Sequence, residues 1–148
     1  MRKRKGVSKM FTKILVASDG SGPSMRAARA AALIGAAVSA EITVLTVASI
    51  PEQYKDDLSD DLEAGYLDEW RKALEATARE VRNQGVEAET KLVREGGVAA
   101  AILEELDNGD YDLLAIGKTG SGSPASKTMG SISDRLTSDV LCSIMLVR

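Results

Sequence analysis

Glycine lets a backbone approach a ligand closely, and the stretch from Asp112 to Val147 spaces it in a way that suggests chemistry. Gly117, Gly120 and Gly130 stand at Gly-x2-Gly-x9-Gly, and Ser131 follows the last of them. A Gly-Ser pair that opens a helix offers N–H groups without intrahelical partners, a hydroxyl donor and the positive end of the helix dipole. Together these groups can hold a phosphate without any charged side chain. A second candidate is Asp19, in Ser18-Asp19-Gly20-Ser21, where ordinary turn chemistry and a ligand-facing carboxylate both fit. Lys118 and Lys127 could neutralise a phosphate or stay solvated.

What is missing also narrows the chemistry. The chain has no histidine, so the commonest metal ligand and the commonest general base are both absent. Its single cysteine, Cys142, rules out an intramolecular disulfide framework and reads as a buried small hydrophobe. Asp56, Asp57, Asp60, Asp61 and Glu63 cluster near a helix start, where they favour the dipole and read as a solvated face rather than a metal site.

Two familiar phosphate patterns fail. Gly117-Lys118-Thr119 resembles the tail of a P-loop, but that motif needs a glycine where Asp112 stands, and the residues between form a strand. Gly120-Ser121-Gly122-Ser123-Pro124-Ala125 fits G-x-G-x-x-A, yet that fingerprint belongs in the first strand-to-helix turn, with an acid about twenty residues on. Here it follows the fourth strand, with no such acid.

The elements that must carry these residues alternate. Lys13 to Ala17 is apolar enough for a strand covered on both faces. Pro23 suits the first turn of a helix capped by Ser21 or Gly22 and running to about Ser39. Glu41 to Val47 is rich in β-branched residues and reads as the second strand. Leu58, Leu62, Tyr66, Trp70, Leu74, Thr77 and Val81 recur at helical intervals, with Trp70 expected in the core and Gly85 ending the helix. Glu87 to Val93 reads as a half-exposed edge strand, and Val98 to Leu106 as a short helix with Ile102, Leu103 and Leu106 inward. Leu113 to Ile116, a helix from Ser131 to about Asp139, and Ser143 to Val147 complete the chain.

This alternation calls for a doubly wound α/β fold: a five-stranded parallel sheet with helices on both faces. Right-handed crossovers favour the order 3-2-1-4-5, with a switch point between strands 1 and 4. Both candidate loops, at Asp19 and from Gly117 to Gly130, then fall on one crevice.

At this point the chain resembles the ATP-binding branch of the universal stress protein family. KILVASDGS is similar to the family's opening strand and turn, and EITVLTV to its second strand. VREGGVAAAILEELDNGDYDLLAIG and GSISDRLTSDVLCSIMLVR are similar to its later segments, and Gly-x2-Gly-x9-Gly-Ser to its loop. The resemblance runs from about Phe11 to Arg148 and implies a Rossmann-like fold of the adenine nucleotide alpha hydrolase-like type. It places Asp19 near the ribose or a phosphate-bound Mg²⁺, backbone at Ala17 and Val47 against the adenine, and Gly117, Gly120, Gly130 and Ser131 around ribose and phosphates, with Ser133 close by. Two departures stand out: Lys118-Thr119 replaces a small residue followed by His or Arg, and Ser143 replaces a proline.

At 148 residues the chain fits one domain at 11–148, preceded by a basic segment at 1–10. That segment reads as a disordered arm, residues upstream of a start at Met10, or an arm touching an anionic surface. A net charge of −3 argues against a nucleic-acid-binding domain. The sequence holds no apolar run long enough to span a membrane, and the chain reads as cytoplasmic. The expected function is binding of ATP, ADP or AMP by a regulatory homodimer joined through its fifth strands, with an unidentified protein partner. The alternatives are a slow ATPase or autophosphorylating phosphotransferase, and an interaction module that binds no nucleotide.

Overall fold

Alternating burial along the strands sets the layers. In the first strand, β1 (Lys13–Ala17), Ile14 and Val16 point to one face of the sheet and Leu15 to the other, all three fully buried. The computed structural model describes residues 10–49, 60–94, 97–119 and 130–148. Within them the order is β1, α1 (Gly22–Val38), β2 (Glu41–Ala48), α2 (Asp60–Arg82), β3 (Ala88–Arg94), α3 (Val98–Asn108), β4 (Leu113–Gly117), α4 (Ser131–Asp139) and β5 (Ser143–Val147). The five strands pair in parallel in the order β3-β2-β1-β4-β5, the order expected from the crossovers. The register sets Leu15 beside Thr43 on one side and Leu114 on the other.

Two cores result. Ile14, Val16, Ile42, Val44 and Ala115 pack with Ala28, Ala31 and Ala32 of α1 and Leu74 and Val81 of α2. Leu15, Leu45, Leu114 and Ile116 pack with Ala99 and Ile102 of α3 and Leu136 of α4. Alanines let α1 lie close on the sheet: at Gly35 an added Cβ would come within 2.8 Å of Ile42 Cδ1. The helix starts at Ser21, whose hydroxyl accepts the Ser24 N–H, and ends at Ser39 in the left-handed region, φ 58°. Leu33 faces outward and is 56% exposed.

Asp112 ties the starts of β4 and β1 together, a contact that residue spacing did not reveal. Its carboxylate accepts the Thr12 N–H at 2.7 Å, the Thr12 hydroxyl at 2.8 Å and the Lys13 N–H at 3.2 Å. At the opposite edge from β3, β5 sends Met145 to the first core and Ile144 and Leu146 to the second, all partly buried. Cys142, expected to be buried, is only half so; burial still pushes its thiol pKa up. Asp60, Asp61 and Glu63 fall in the first turn of α2, where Glu63 pairs with Arg94 at 2.7 Å, while Asp56 and Asp57 lie outside the described residues. Residues 1–9 of the basic segment also lie outside them.

Candidate functional site

A cavity of about 350 Å³ opens beyond the carboxyl ends of β1, β2 and β4. This is the place where a doubly wound sheet reverses its winding and where such folds admit ligands. Ala17 and Asp19 reach it from the end of β1, Val47 from β2 and Gly117 from β4, while Gly130, Ser131 and Ser133 reach it from the start of α4. Gly120 and Lys127 lie outside the described residues. Thr119 joins the lining and Lys118 does not; the Lys118 N–H donates to Val147 O at 2.7 Å, and its carbonyl accepts the Gly130 N–H at 2.9 Å. Among the described residues Asp19 is the only ionisable group lining the cavity, and no cluster of His, Cys, Asp and Glu could hold a metal unaided.

The turn after β1 is held by a chain of hydroxyls. Asp19 Oδ1 accepts the Ser21 N–H at 2.9 Å and lies 3.0 Å from Ser24 Oγ. Ser18 is buried; its hydroxyl lies 3.0 Å from Ser24 Oγ and 2.8 Å from Thr77 Oγ1, and it accepts the Gly20 N–H at 3.1 Å. Each hydroxyl has one proton to give. Thr77 Oγ1 also donates to Ala73 O at 2.8 Å, so Ser18 gives its proton to Thr77 or to Ser24, and Ser24 gives its own to the carboxylate or to Ser21 O at 2.9 Å. These contacts tie the Asp19 turn to the middle of α2. Gly20 permits the turn, with φ +82°, and its α-carbon faces Ala73 so closely that an added Cβ would lie 3.0 Å from the alanine's own.

The floor of the cavity depends on a second close approach. A Cβ on Gly117 would fall 2.8 Å from Pro23 Cβ and 2.9 Å from both Pro23 C and Ser24 N. Only glycine lets the end of β4 touch the first turn of α1. The Gly117 carbonyl accepts the Ser133 hydroxyl at 2.9 Å, which pins α4 to β4 and commits that buried hydroxyl to the scaffold. Gly130 caps α4 with no side-chain oxygen on its N–H groups, and its backbone, φ −62° and ψ 153°, is one that any residue adopts. Its value lies in leaving the helix start uncovered, not in a special conformation.

Trp70 corrects the expectation of a core residue. It is half-buried and lines the cavity. The reason is length: a 23-residue helix spans roughly 35 Å, whereas the eight residues of β2 span roughly 26 Å. The first turns of α2 therefore overhang the carboxyl end of the sheet. Leu74, Thr77, Ala78 and Val81 of its second half are buried, whereas Leu62 is 63% exposed. The helical stripe correctly marked one face of α2; it held no information on where the sheet beneath that face stops.

Ile116, Leu45, Val98, Ile102 and Leu136 make the rest of the lining apolar. The cavity thus joins an apolar pocket to a rim of backbone, hydroxyls and one carboxylate. This combination suits a ligand with a flat apolar body and an anionic tail.

Comparison with known proteins agrees with the architecture. No curated protein matches the chain. Among solved structures, the universal stress protein UspA from Lactobacillus plantarum is 22% identical, with 95% of this chain and 100% of that one covered and a TM-score of 0.80. A universal stress protein in complex with cAMP is 23% identical, covering 95% of this chain and 99% of that one with a TM-score of 0.72. The universal stress protein from Archaeoglobus fulgidus in complex with dAMP is 19% identical, covering 95% and 100% with a TM-score of 0.72. Likeness at these identities shows the fold. The family model for universal stress proteins matches residues 10–148, and the chain belongs to the universal stress protein family.

Proposed function

We propose that the protein binds an adenine nucleotide, ATP or its di- or monophosphate, at the switch-point cavity and acts as a nucleotide-dependent regulator in the stress response. The observation that carries this reading is the meeting, in one cavity, of an apolar pocket with the uncapped start of α4 and the glycine-dependent floor at Gly117. Phosphate at a helix start is favoured by the N–H groups and the dipole. Gly117, Gly130 and Ser131 would line the phosphate end, Asp19 the ribose, and Ala17 and Val47 the base; Gly120 belongs to the same set by its spacing. Mg²⁺ commonly binds through one or two carboxylates plus substrate phosphates, so Asp19 fits it only as a partner of a bound nucleotide. The complexes of related folds with cAMP and dAMP support an adenine ligand.

Binding is favoured over turnover. No histidine exists, and among the described residues the one carboxylate at the cavity is tied at Oδ1 to the Ser21 N–H and the Ser24 hydroxyl, a part in holding the turn rather than in turnover. An interaction module without nucleotide would have no use for the Gly-x2-Gly-x9-Gly-Ser spacing that leads into the uncapped start of α4.

Calorimetry with ATP and Mg²⁺ should give a saturable heat, and ATP should raise the melting temperature. Neither effect would leave the reading without support. Labelled ATP recovered intact after hours with the protein would favour a sensor over an ATPase. The homodimer joined through β5 follows from an apolar strand at a sheet edge, which invites pairing. Light scattering that finds only monomer at micromolar concentration counts against it.

A further inference from the structure

The apolar half of the cavity is built from two layers of the fold that lie on opposite faces of the sheet. Leu74 and Val81 of α2 pack on the face of the sheet that α1 covers, and Ile102 of α3 packs on the opposite face. Beyond the carboxyl ends of the strands, Trp70 from α2 and Val98 and Ile102 from α3 line the same space. Trp70 is held in place on its own side. Its ring meets Tyr66 edge-on, with centroids 6.4 Å apart and planes at 65°, and the Tyr66 hydroxyl donates to Ser49 O at 2.8 Å, just past the end of β2. One turn further along α2, Ala73 rests against Gly20, so the indole stands beside the Asp19 turn.

We propose that Trp70 is a base-recognition residue: its indole forms one wall of the nucleobase subsite and clasps a purine ring against Val98 and Ile102. The inference rests on the nucleotide reading above and adds to it the residue that holds the base. A half-buried tryptophan at a cavity mouth keeps apolar surface in contact with water, and a stacked or edge-packed base removes it. The assignment also orders the ligand. The base lies between α2 and α3, the ribose at Asp19, and the phosphates at Gly117, Gly130 and Ser131. Stacking is tolerant of base identity because every base offers a π-face, so guanine nucleotides should engage the same wall.

Trp70 is the chain's only tryptophan, so its emission reports this one place. Titration of the wild-type protein with ATP should quench that emission with the midpoint that calorimetry gives. Trp70→Ala should weaken ATP binding by about tenfold, the order of one base–aromatic stack, while Trp70→Phe restores most of the loss. Heat of ATP binding without any change in indole emission overturns the proposal, as does Trp70→Ala binding ATP like wild type. If Trp70→Ala does not fold, the wild-type emission and Trp70→Phe decide the matter. Absence of ATP heat in the wild-type protein is a different outcome: it overturns the nucleotide reading itself, and this inference with it.

Discussion

Gly117→Ala tests the claim that the cavity floor depends on one missing methyl. In the native packing the new Cβ would sit 2.8 Å from Pro23 Cβ and 2.9 Å from two backbone atoms of α1, Pro23 C and Ser24 N. Real Cβ atoms essentially never come closer than 3.0 Å to such neighbours, so the strand end and the helix must part by some tenths of an ångström or more. Neither side yields easily. Gly117 is paired to β5 at Val147 and holds the Ser133 hydroxyl, while α1 is seated on the sheet through four fully buried alanines. Overpacking of this kind costs about 1–3 kcal/mol. For a domain of this size a loss near 2 kcal/mol corresponds to a melting temperature lower by roughly 5–10 °C. Urea denaturation of the two proteins, compared at equal m-value, measures the difference directly. Because the Ser24 hydroxyl also meets the Asp19 carboxylate, ATP affinity should fall along with stability. A Gly117→Ala protein as stable as wild type would refute the reasoning, since it would mean that the sheet and α1 separate without penalty.

Two further outcomes can be checked. Thr77→Val keeps shape and removes the hydroxyl that meets Ser18 and donates to Ala73 O; it should cost about 1 kcal/mol in urea denaturation, and an unchanged midpoint would mean that these two contacts contribute nothing. Burial raises the Cys142 pKa, so at pH 8 the folded thiol holds its proton more often than the unfolded one. Alkylation by iodoacetamide at pH 8 should therefore be slower in the folded protein than in urea; any stability from this group is present below the unfolded pKa and lost as pH rises through the folded one.

Much of the architecture was legible because it rests on local rules. Apolar continuity marked the strands covered on both faces, β1 and β4, and alternation marked β3 as an edge, with the burial pattern that an edge requires. Ser21-Gly22-Pro23 marked the start of α1, and Gly130-Ser131 the start of α4. Crossover handedness then leaves few ways to order five parallel strands, and the observed order is the simplest of them. With the order comes the switch point, which put the Asp19 turn and the loop from Gly117 to Gly130 on one crevice; the family resemblance added Ala17, Val47 and Ser133. Of the residues so named, Ala17, Asp19, Val47, Gly117, Gly130, Ser131 and Ser133 line the cavity, and Gly120 lies outside the described residues.

The contacts that shape the crevice were not legible, because they depend on offsets between elements distant in the chain. A periodic stripe says which face of α2 turns inward but not how far the helix overhangs the sheet, so Trp70 read as core and proved to be cavity wall. Ser18 and Thr77 are 59 positions apart, and Thr12 and Asp112 are 100 apart; no spacing rule connects them. The family resemblance put Ser133 close to the phosphates, yet its hydroxyl is committed to the Gly117 carbonyl. Residue types and their local order determined the strands, the helix starts and the place of the switch-point crevice. Only the tertiary structure decided which side chains line the cavity and which hold the others in place, because a hydroxyl or an aromatic ring takes its role from the partner that packing brings within reach.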